Sequence, residues 1–372
     1  MAAEGTPTLT VSPSLAFASG RGVHPWAWWG WALLISFGVN LTTNPLLLGL
    51  LAFTVIAVVI LRRSDAPWAR SIGIYLGLAG MVIVTRLFFQ IIAGGTYGTT
   101  VLFGLPEVPL PEWAAGIRLG GPVTAEALVY TLYDGLRLAT MLLCLGAANA
   151  LANPRTALKS VPAALYEASV AVVIALSVAP QLIESALRVR RARRLRGGTR
   201  TGWRSLQTVV IPVLEDAIER SVALAAGMEA RGFARTRQAH GQRFALTLML
   251  IASMVLLVGL FLLLEGSEVA VGWASLVLGL TGVTWGLRLA GRRLRATRYR
   301  PQPWRPSDSA IILCGAGVAA AIGGLRLIAD QLLNPGTEPL VWPVLHPLML
   351  AVVGAAALPL AFSRPQLQVV TR

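Results

Sequence analysis

Apolar and polar positions along this chain fall into long blocks. Residues 26–41 (WAWWGWALLISFGVNL) and 45–61 (PLLLGLLAFTVIAVVIL) are apolar runs on either side of the break TTNP. Further runs cover 71–93, 124–148, 244–264, 269–289, 309–328 and 344–361. Most approach the ~20 residues a helix needs to cross a bilayer core, and the first two are at the short limit. Tryptophans in 26–31 suit the headgroup level, where an indole N–H meets water. The pattern predicts an all-α polytopic membrane protein with about eight transmembrane helices.

One more apolar run, 168–182 (ASVAVVIALSVAPQL), decides the predicted topology. If it crossed, the block Arg188, Arg190, Arg191, Arg193, Arg194 and Arg196 would face away from Arg62 and Arg63. If it does not cross, the basic loops all share one side, and the opposite loops carry only Arg118. Basic residues favour the cytoplasm, so this run is expected to be a helix that does not span. The predicted layout is a cytoplasmic tail at 1–22, spans one to four in 23–149, and a cytoplasmic insert at 150–242. Spans five and six follow in 243–290, then a basic loop at 291–308, two more spans in 309–362 and a cytoplasmic tail at 363–372.

Composition narrows the function classes. Of 372 residues, 55% are hydrophobic and 13% charged, with a net charge of +15. Arginines interleaved with apolar runs fit a positive-inside membrane protein better than nucleic-acid binding. Cys144 and Cys314 lie in apolar runs, and His24, His240 and His346 are far apart, so neither a disulfide framework nor a metal site is expected. No cofactor is implied. Lys159 is the single lysine and follows leucine rather than a glycine loop, so the chain has no Walker A motif. No paired carboxylates, histidine cluster or serine–base set suggests an enzyme. The alternative is a self-contained secondary transporter, since Arg86, Asp134 with Arg137, and Arg326 with Asp330 lie in or near spans. Local pairing or snorkelling also accounts for these groups, and the two halves show no repeat.

The insert predicts two long helices. The first, near 163–198, begins apolar and ends basic (ESALRVRRARRLRGG), stopped by glycine. The second, near 205–231, carries Leu206, Val210, Val213, Ala217, Leu224 and Met228 at helical spacing and stops at Gly232. Each ends in arginine then glycine: Leu195–Arg196–Gly197 and Ala230–Arg231–Gly232. A helix C-cap accounts for either tripeptide singly, and a basic face on anionic lipid accounts for the 188–204 block. Neither accounts for the repetition.

RSVALAAGMEARGF (220–233), ARRLRGG (192–198) and HPWAWW…TTNPLLLGLL resemble the transmembrane (T) component of energy-coupling factor transporters, the CbiQ/EcfT-type family. The resemblance extends over about 22–290, with 309–361 as an extension. It implies a non-catalytic subunit whose coupling helices sit on two ATP-binding-cassette ATPases and transmit their motion to a membrane-embedded substrate-binding S component. Arg196 and Arg231 take the two motif arginines, flanked by Gly197, Ala230 and Gly232, with Leu195, Met228 and Glu229 supporting. The first motif has leucine where the family has alanine. The substrate, whether a vitamin, a metal ion or another small molecule, belongs to the S component. Independently, arginine presents five fixed donors suited to a recessed carboxylate, and glycine lets a partner approach the backbone.

Overall fold

The structure, a computed structural model, describes residues 22–63, 72–94, 98–108, 119–160, 165–196, 203–232, 242–265, 268–292 and 303–363. The tail before residue 22, most of the basic loop and the residues after 363 lie outside these. The chain divides into two compact units, one built from Met1–Ala157 with Gln302–Arg372, the other from Leu158–Pro301.

The first unit begins with α1 (Pro25–Asn40) and α2 (Pro45–Arg62). Both open on proline, which has no N–H to leave unsatisfied, and a cap precedes each. The Asn44 side chain accepts from the backbone N–H groups of Leu46 and Leu47, which explains the break at TTNP. α3 (Ile72–Ala93) leads to a two-stranded antiparallel sheet, β1 (Val101–Val108) and β2 (Leu119–Thr124), then α4 (Ala125–Leu151) and the short α5 (Pro154–Lys159). α10 (Pro306–Leu333), α11 (Pro347–Ala357) and α12 (Pro359–Phe362) complete the unit.

α4 is central, packing against α1, α2 and α3. α10 lies along α1, and α11 packs on α2 and α10. Trp31, Ile35, Leu47, Leu51, Ile311, Ile322 and Met349 are fully buried in this one core. Gly315 allows the approach of α10, since a Cβ there would lie 2.9 Å from the Trp31 carbonyl oxygen. The last helices are therefore not an appendage. They contribute to the same core as the first two.

Polar clasps secure both ends of this packing. Thr42 Oγ1 donates to the Leu333 carbonyl at 2.8 Å, and Asn44 Nδ2 donates to the carbonyls of Leu332 at 2.9 Å and Val344 at 3.2 Å. At the other end Asp308, only 2% exposed, accepts from the backbone N–H of His24 at 3.0 Å and of Arg305 at 2.9 Å. Asp308→Ala leaves both donors without this acceptor and is expected to cost about 1–3 kcal/mol. The check is a lower unfolding temperature in detergent, with Asp308→Asn falling in between, since its amide oxygen can accept from only one of the two N–H groups.

Among the described residues, seven helices are long and apolar enough to cross a membrane. Six coincide with expected spans. The expected first span, α1, has 16 residues, and the expected last is divided between α11 and α12. The seventh is the segment 168–195, expected not to span, which passes through Pro180 without ending. The sheet replaces part of an expected external loop, 94–123. Its register shifts between Leu105 and Val108, a bulge that accommodates Pro106, which has no ladder N–H to donate.

The second unit contains α6 (Tyr166–Leu195), α7 (Trp203–Ala230), α8 (Gln242–Glu265) and α9 (Val269–Arg292). α8 and α9 pack closely, and a Cβ at Gly279 would sit 2.7 Å from the backbone N of Leu256.

Candidate functional site

α6 and α7 are the expected long helices of the insert, within a few residues of the expected bounds. Their contact is narrow and polar. Ser185 is the one buried residue among the described side chains of α6, at 4% exposure, and its hydroxyl donates to Asp216 Oδ2 of α7 at 2.7 Å. Asp216 Oδ1 accepts from Arg220 Nε at 2.9 Å, and Arg188 Nη2 approaches Oδ2 at 3.9 Å. Arg220 also donates to Gln181 Oε1 at 3.3 Å. Moving four residues back on α6 reaches a partner four residues forward on α7, so the helices run antiparallel.

The Ser185 hydroxyl and the Arg220 guanidinium hold the Asp216 carboxyl below its usual range, and the charges of Arg220 and Arg188 add to this. A lowered carboxyl pKa means the pairing is fully present above about pH 4, the ordinary aspartate range, and is lost only as pH falls through the lower folded value. The expected outcome is α6–α7 proximity that is flat from pH 8 to 5 and falls in stronger acid. Distance measurement between spin labels on the two helices checks this, and Asp216→Asn is expected to remove the acid step.

The two motif ends lie on opposite sides of this pin. Arg196 is the C-cap of α6, its N–H bonded to the Ala192 and Arg193 carbonyls at 3.2 Å. It follows Ser185 by eleven residues, a rise of about 16 Å. Arg231 follows α7 and bonds the Met228 carbonyl at 3.2 Å, about 22 Å beyond Asp216 in the other direction. Gly232 has φ +74° and donates to the Glu229 carbonyl at 2.8 Å, the left-handed stop expected after a helix. A Cβ there would meet nothing within 4 Å, so conformation rather than internal crowding calls for glycine.

Arg196, Glu229, Ala230 and Arg231 are exposed, Met228 is half-buried, and Leu195 is 88% exposed. Gly197 lies outside the described residues. Neither Arg196 nor Arg231 forms an ion pair or side-chain hydrogen bond among the described residues. The site residues are thus two separate exposed ends, not one convergent cluster.

The apolar stripe of α7 differs from the expected one. Val213 and Ala217 are half-buried together with Val209, whereas Val210 and Leu224 are exposed, as are Ile211, Leu214, Ile218 and Val222. α7 therefore carries apolar residues on more than one face, and α6 covers only one. The spacing along the chain singles out neither Asp216 nor Ser185. A lone serine carries no periodic signal that marks it as a contact.

In the first unit, Asp134 pairs with Arg137 on its own helix, as spacing anticipates, and also with Arg86 of α3. Arg326 and Asp330 pair at 3.8 Å on α10. Among the described residues, no group of histidine, cysteine and acidic side chains could hold a metal ion.

The sequence pattern that defines CbiQ, described as cobalt transport protein, matches residues 27–242. That region contains most of α1, all of α2 to α7 and both arginine–glycine ends. No curated protein matches the chain.

Proposed function

The chain belongs to the family of CbiQ cobalt transport proteins, a multi-pass membrane component of a transporter, and from that premise we propose that it is the energy-coupling subunit of an ATP-driven importer. In this reading it hydrolyses nothing itself. Two cytoplasmic ATP-binding-cassette ATPases supply the motion, and a membrane-embedded S component selects and carries the substrate. Arg196 engages one ATPase and Arg231 the other, each as an arginine fork entering an acidic groove. α6 and α7 carry the motion between them.

The observation that carries this reading is the placement of two exposed arginines at opposite ends of one pinned helix pair. A single small partner surface cannot reach both. The uncovered apolar residues of α7 supply a second kind of surface, suited to an apolar partner or the membrane face. α6 lies on the side of the basic loops, because crossing would carry Arg188–Arg196 away from Arg62 and Arg63. Both termini and the 150–242 insert are then cytoplasmic.

The test is reconstitution in liposomes. The chain alone is expected to show neither ATPase activity nor uptake. Uptake requires ATP together with the ATPases and the S component. Uptake by the chain alone, driven by an ion gradient, would overturn the proposal in favour of a secondary transporter.

A further inference from the structure

Among the described residues, one cluster inside the first unit leaves its charges unbalanced. Asp134 gives one carboxylate oxygen to Arg86 and the other to Arg137, so one negative charge faces two positive ones. The Arg137 Nε is buried and has no hydrogen-bond partner among the described residues. Glu126, the nearest acidic residue along α4, is committed instead to Thr99 and Thr100.

The cluster also lies deep. Seven residues of α3 follow Arg86 and nine of α4 precede Asp134. At about 1.5 Å per residue these are depths of about 10 and 14 Å from the helix ends, within a hydrocarbon core about 30 Å thick. Lipid phosphates sit at the headgroup level, and the Arg86 guanidinium is held at Asp134 rather than extended toward them.

Finally, the cluster is open on one side. Arg86 is 42% exposed and Asp134 only 11%. α3 has one buried residue, Ala79, in its 22, and Leu78, Val82 and Phe89, at helical spacing on one flank of Arg86, give it an uncovered apolar edge. Ionisable groups at such depth are costly unless paired, and they mark functional contacts.

We propose that Arg86 and Arg137 form a docking point for a transmembrane helix of another subunit, one that carries an aspartate or glutamate within the bilayer. The partner carboxylate meets the exposed edge of Arg86 and neutralises the second charge, while the apolar face of α3 packs along the incoming helix. The proposal uses the transport-subunit reading only in requiring a membrane partner, and it does not depend on Arg196 or Arg231.

The experiment uses the full complex purified from its native membrane through a tag on this chain. Arg86→Met is expected to lower recovery of the membrane partner tenfold or more. The isolated variant keeps or raises its unfolding temperature, because the remaining pair is neutral. ATPase recovery is unchanged, which separates failure here from failure of the coupling reading. Arg86→Lys restores part of the recovery. A photoreactive phenylalanine analogue in place of Phe89 then identifies the neighbour. Support requires a cross-link to a membrane segment containing an acidic residue whose amide variant reproduces Arg86→Met. Cross-links only to lipid, or to a helix without an acidic residue, overturn the proposal. So does an Arg86→Met variant that melts earlier yet keeps its partner, since the cluster is then an internal brace.

Discussion

Replacing both Arg196 and Arg231 with alanine is expected to abolish recovery of the ATPase pair and, with it, ATP-driven uptake. Each arginine is exposed at the end of its own helix, on opposite sides of the Ser185–Asp216 contact. Losing one charge-assisted contact within a partly desolvated interface strands the partner's charge and weakens binding by at least about 30-fold. Each single variant therefore keeps partial assembly through the other end. Lysine is expected to rescue poorly, because it keeps the charge without the planar fork. Arg190, also exposed on α6, is the control: Arg190→Ala is expected to change recovery by less than about fivefold. Quantifying co-purified ATPase from variants with equal membrane insertion decides the matter. Equal losses for all three arginines would reduce the motif to a basic surface.

Asp216→Ala is expected to leave both ATPase contacts in place while uptake falls tenfold or more. The carboxylate is the shared acceptor for Ser185 from α6 and for Arg220 from α7, with Arg188 close by. Removing it frees the only buried side chain among those described on α6 and leaves two arginines facing each other. The ends then move independently, so ATP hydrolysis persists without transport. Asp216→Asn still accepts from Ser185 but no longer offsets the arginines, and an intermediate ratio of uptake to hydrolysis is expected. That ratio is the readout. A variant that loses assembly and hydrolysis together would mean that Asp216 serves only to hold the fold.

What the sequence determined by itself is what depends on neighbours along the chain. Hydropathy marked six of the helices long enough to cross a membrane, because a backbone in hydrocarbon must satisfy its hydrogen bonds within the helix. Arginine followed by glycine marked the ends of α6 and α7, because capping is a local event. Val213 and Ala217 were legible as a contact face through their spacing, although Val210 at the same spacing points elsewhere.

Only the tertiary structure decided the rest. The clasp of Asn44 on Leu332 and Val344 joins residues 288 and 300 positions apart, and Asp308 meets His24 across 284. Such pairs leave no periodic trace, so only packing shows that the final helices, which lie beyond the matched family region, complete the core. The sheet was hidden because Gly104, Pro106, Gly120, Gly121 and Pro122 all weaken strand preference, and pairing with a bulge overrides it. Asp216 and Arg86 follow the same rule. Their charge was plain from the chain, but their partners on a second helix were chosen by packing, where a buried or crowded charge must find its opposite in space.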